Sequence, residues 1–128
     1  MTKIASVVFL CAGLVGNGVA ASEPIIIVVS PDDPMSDIKT TELREIFGGD
    51  RTHWTGGERV TPINIRQGLP ERAAFDQIVL GMSSDKVKNY WVDRKIRGKP
   101  GSPKEAASVL LLQRVVGSTK GAIGYVRR

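Results

Sequence analysis

Residues 25–29 read Ile-Ile-Ile-Val-Val, a run of β-branched side chains with no polar residue between them. A strand with one wet face alternates apolar and polar positions, whereas a run without alternation reads as a strand buried on both faces. That reading demands packing on each side of a central strand. Residues 60–65 do alternate, and they read as a second strand. Residues 122–126 form a third, short apolar run at the end of the chain. Helical patterns separate the three. The expected architecture is therefore α/β: a three-layer sandwich, a mostly parallel sheet with helices on both faces.

The helices are marked by their stops and caps. Thr40 or Thr41 can open the first, with Glu42 in its first turn, and Leu43, Ile46 and Phe47 share one face. Gly48 and Gly49 end it. Pro70 suits a second helix start, followed by an apolar stripe of Phe75, Ile78, Val79 and Met82. Ser83 can cap a third, with Met82 and Val87 as a hydrophobic staple and with Tyr90 and Trp91 turned inward. Ser102, Pro103 and Glu105 fit a capping box, and 106–116 after it is nearly all apolar and reads as the most buried helix.

The N-terminus has the layout of a targeting segment. Lys3 precedes an apolar run, 4–15, interrupted only by Ser6 and Gly13, and Ala20 and Ala21 offer small residues for cleavage. This order matches a secretory signal peptide over 1–21, leaving a single domain over 22–128. The run is shorter than the roughly 20 residues that a spanning helix needs, so no stable membrane insertion is expected. Cleavage near Ala20 or Ala21 removes Cys11, the one cysteine, and predicts a periplasmic or secreted product without disulfides.

Composition narrows the chemistry. One cysteine and one histidine, His53, leave no basis for a cysteine or histidine metal cluster, and no catalytic set or cofactor motif is recognisable. His53 reads as a surface or packing residue. Asp32, Asp33 and Asp37 follow the first strand, where ordinary turn chemistry accounts for them. Aromatic residues make up only 5% of the chain, too few for a stacking platform, and the bases of 85–104 read as the wet face of a helix. Nucleic acid is not an expected partner. The net charge of +5 nonetheless favours anions. The densest candidate site runs from Arg66 through Gln67 and Gly68 to Arg72, joining a strand end to a helix start. Free N–H groups at a helix start attract anions, Gly68 permits close approach, and both arginines can donate in bidentate fashion. Pro70 removes one N–H there, and Glu71 opposes an anion.

Several segments in order resemble the type II periplasmic solute-binding proteins, within them the phosphate-binding branch of phosphate ABC transporters. They are the opening strand 25–30, Leu43-Arg44-Glu45-Ile46-Phe47-Gly48-Gly49 followed by Trp54, then 66–75, Tyr90-Trp91, and Gly121-Ala122-Ile123-Gly124-Tyr125-Val126. The resemblance covers one of the two lobes of such a receptor. At the ligand loop the family carries a Gly-Ser-Gly-Thr type sequence, where this chain has Gly68-Leu69-Pro70-Glu71-Arg72. The resemblance implies a non-enzymatic module binding phosphate or sulfate for transport. Strand ends carrying Ser30, Arg66 and Tyr125 should converge on the ligand face, which adds Ser30 to the anion set. A lone lobe offers half a cleft, so a homodimer or an envelope or transporter partner is expected. The alternative is a structural or interaction module that kept the fold and lost the ligand.

Overall fold

The computed structural model describes residues 3–8, 25–31 and 37–127. The elements in order are β1 (Lys3–Val8), β2 (Ile25–Val29), α1 (Thr40–Phe47), β3 (Thr61–Ile65), α2 (Pro70–Phe75), α3 (Ser84–Ile96), β4 (Lys104–Ala106), α4 (Val109–Ser118) and β5 (Ala122–Arg127). The last turn of α2 runs on into a wider π-type coil, Asp76–Leu80, which Gly81 ends. The strands form one sheet in the order β1-β2-β5-β3-β4.

Ile25, Ile27, Val28 and Val29 are fully buried, as an apolar run without alternation requires. The three strands expected to share a sheet do so. Their directions differ from expectation, however. β5, β3 and β4 are parallel neighbours, but β2 runs antiparallel to β5, and β1 antiparallel to β2. The sheet is mixed. Side-chain burial is the same whichever way a strand runs, so the apolar pattern of β2 carried no information on its direction.

Helices cover both faces. α4 lies on one face, and Gly124 of β5 makes that contact possible. A Cβ on Gly124 would fall 2.7 Å from Leu112 Cδ2 and 3.0 Å from Val116 Cγ2, inside the contact distance that close packing tolerates. On the other face Tyr125 stacks flat on Phe75, with ring centroids 3.8 Å apart, and Phe47 meets Phe75 edge-on at 4.7 Å. This trio fastens α1 and α2 to β5. Each buried ring contributes about 1.5–3 kcal/mol by removal from water.

The fourth helix begins later than the capping box implied. Lys104–Ala106 is instead a strand paired with Ile63–Ile65 of β3. Ser108 caps the helix by accepting a bond from the Leu111 amide at 3.2 Å. Only Leu112 and Val116 of α4 are buried, while Leu110, Leu111 and Val115 are exposed. One helix over a sheet face has only one stripe to bury, so a largely apolar sequence leaves apolar residues on its wet side. β1 falls within the segment expected to be a cleaved leader. In the intact chain it pairs along β2, Lys3 opposite Val29 and Ile4 opposite Val28. Residues 9–24, with the expected cleavage point, lie outside the described residues.

Candidate functional site

β3 ends at Ile65, and the chain turns through Arg66, Gln67 and Gly68 into α2. Gly68 adopts a φ of 98°, a left-handed conformation that other residues avoid. No side chain caps α2 at Leu69. The Leu69 carbonyl accepts from the amides of Arg72 and Ala73, at 3.1 and 3.2 Å. The preceding amides of Gln67, Gly68 and Glu71 have no backbone acceptor among the described residues. Arg66 is exposed and makes no ion pair among the described residues. Its Nη1 approaches the Gln67 carbonyl at 3.5 Å and lies beside Gly68. A guanidinium and open amides therefore share one exposed turn.

Arg72 takes a different course. It turns inward and is only 3% exposed. Its Nε donates to Asp76 Oδ2 at 2.8 Å, and its Nη1 donates to the Ile65 carbonyl at 3.0 Å and to Glu105 Oε2 at 2.9 Å. A buried guanidinium requires compensating charge, and two carboxylates supply it. Burial draws the Arg72 pKa down, but Asp76 and Glu105 outweigh it and hold the group above the ordinary arginine value. Asp76 is completely buried, and that burial raises its carboxyl above the usual range, with Arg72 pulling partly the other way. Asp76 Oδ1 has no hydrogen-bond partner among the described residues.

Below this cluster the Tyr125 hydroxyl donates to Asn64 Oδ1, and the Ile65 amide donates to the same oxygen at 3.0 Å and to Tyr125 Oη at 3.3 Å. Burial raises the Tyr125 pKa, so the phenol stays protonated and serves as a fixed donor. The cluster ties the end of β3 to β5 and α2, and so holds the strand end from which the Arg66 turn departs.

The structure brings Arg66, Gln67 and Gly68 together and separates Ser30 from them. Ser30 follows Val29, which pairs with Ile123 near the start of β5, whereas Arg66 follows the end of parallel β3. With β2 reversed, Ser30 sits at the opposite end of the sheet, offset by about 16 Å along the strand direction at a rise of roughly 3.3 Å per residue. It therefore does not converge with Arg66. Asp32 and Asp33 lie outside the described residues, and Asp37 is exposed.

Two features were missed in the sequence. Glu105 reaches Arg72 from 33 positions along the chain, which no local pattern shows. Arg94, within the stretch read as a solvated face, is buried. It donates to Asp50 Oδ1 at 3.0 Å and to the Gly49 carbonyl at 3.1 Å, and it lies 5.5 Å from the Trp91 ring centre. It fixes the C-terminal end of α1 on α3. Exposed His53 is near Thr52 Oγ1, at 2.9 Å. Among the described residues no group of three or more His, Cys, Asp or Glu side chains gathers to hold a metal ion, and no helix is long and apolar enough to cross a membrane. A scan against protein-family models and a search of curated proteins each found no match.

Proposed function

We propose that the chain is an exported, non-enzymatic binding module of the solute-receptor kind, which takes phosphate or sulfate at the Arg66 turn. The observation that carries this reading is the exposed Arg66 guanidinium lying beside Gly68, with no ion pair among the described residues, next to amides that have no backbone acceptor among them. Guanidinium and backbone N–H groups are the donors that tetrahedral oxyanions accept from. The ordered resemblance to phosphate receptors of ABC transporters supports the same assignment, as does the leader-like N-terminus for a periplasmic destination. Of the two arginines only Arg66 is left to donate, because Arg72 is committed to carboxylates. Calorimetry of the whole chain with phosphate and with sulfate tests the reading. Binding heat that disappears in Arg66→Ala is expected; unchanged heat in that variant would place the anion elsewhere.

A second reading is an interaction module that kept the fold and lost the ligand. Three observations favour it: the engagement of Arg72, Glu71 in the first turn of α2, and the exposed Leu110, Leu111 and Val115 on α4. In this reading a second copy or an envelope protein covers α4. Sedimentation at several concentrations, with and without phosphate, separates the two. A monomer that binds phosphate at micromolar affinity removes the second reading. Self-association that phosphate does not change supports it.

A further inference from the structure

At the end of the sheet where β3 and β4 begin, a cleft of about 370 Å³ opens between the 51–62 segment and the 100–104 loop. That volume falls within the roughly 300–1,000 Å³ of small-molecule sites. Arg51, Arg59 and Lys104 line it, and among the described residues no carboxylate does. The acids nearest in sequence are already held by other contacts. Glu45 pairs with Arg51 at 3.1 Å, Asp50 with Arg94 at 3.0 Å, Glu58 with Lys120 at 3.3 Å and Glu105 with Arg72 at 2.9 Å. Arg59 and Lys104 make no ion pair among the described residues, so within that set two positive charges share one concavity without an acidic partner. Their positions are set by backbone pairing: Lys104 sits opposite Ile63, and Arg59 opposite His53.

The remaining lining gives the ligand its second half. Thr52 and Ser102 add hydroxyls beside the bases, while Ile46, Val60, Pro62 and Pro103 form apolar walls. We infer that this cleft binds a small organic phosphomonoester, its dianionic head on Arg59 and Lys104 and its apolar body against the proline and aliphatic walls. A phosphomonoester carries a charge of about −1.5 to −2 at pH 7, which matches two unpaired bases. A monocarboxylate would neutralise only one of them, and inorganic phosphate would leave the apolar walls wet. The site shares no residue with the Arg66 turn and lies at the other end of β3.

Titration of the isotopically labelled whole chain with phenyl phosphate, followed by amide chemical shifts, tests this. The largest and earliest-saturating shifts are expected at 59–62 and 101–104, with affinity at those amides falling at least tenfold in Arg59→Ala/Lys104→Ala and staying unchanged in Arg66→Ala. Both replaced side chains are exposed, and unchanged amide spectra of the free variants verify their fold. Binding of benzoate or inorganic phosphate at these amides as tight as that of phenyl phosphate would overturn the inference. So would phenyl phosphate shifts centred on Gln67 and Gly68, or an undiminished affinity in the double variant.

Discussion

The two ends of the central sheet handle charge in opposite ways. Where β3 finishes, Arg72 and Asp76 are buried and paired, and Glu105 closes the cluster from the surface. Where β3 begins, Arg59 and Lys104 are exposed and have no acidic partner among the described residues. Burial makes an unpaired charge costly, so the first end must neutralise itself within the fold. Water tolerates an excess of charge, so the second end can leave it for a ligand. The Arg66 turn combines the two regimes, an exposed donor set seated on a compensated floor.

The comparison predicts graded responses. Arg72→Ala leaves the Asp76 carboxyl in the interior without its partner, and unfolding in urea should register a loss of about 3–5 kcal/mol. A loss below about 1 kcal/mol would show that the cluster is not holding the fold.

Next in size is a pH effect. The Asp76 pKa lies higher in the folded chain than its ordinary value of 3.8. Between those two values the folded state holds a proton that the unfolded state has released, so this group's contribution to stability falls as pH rises. Asp76→Asn removes the titration. Its urea midpoint should therefore gain on the parent chain as pH rises above 3.8 toward the raised Asp76 pKa, and a parallel pair of curves would contradict the assignment. Glu105→Gln should cost about 1 kcal/mol or less, because this carboxylate is half exposed. At the opposite end, Arg59→Ala should change stability by no more than about 0.5 kcal/mol, with any gain at low salt, where repulsion is strongest.

How far these ends were legible in the sequence depended on the range of the contacts. The β-branched run of β2 and the alternation in β3 located strands, because burial on one or two faces is written locally. The antiparallel direction of β2 was not written there, and with it went the place of Ser30. The Ser102–Glu105 pattern satisfied a local capping rule, yet pairing of β4 with β3 prevailed, and Ser108 took the capping role. Arg72 and Asp76, four apart on a helix, were close enough to be read as partners. Positive charge is the more conspicuous property of the 66–72 segment, and the partner that completes the cluster, Glu105, is distant in the chain. In the intact chain the apolar residues expected to be a leader supply β1 along the open edge of β2, a position that invites any unpaired strand.

The central claim is that an oxyanion meets the exposed donors at the Arg66 turn while buried Arg72 only supports them. Amide chemical shifts of the labelled chain during titration with inorganic phosphate test it most directly. The account predicts saturable shifts at Gln67, Gly68 and Glu71, none around Ser30, and their loss in Arg66→Ala. Shifts that persist in Arg66→Ala, or that centre on Ser30, would contradict it.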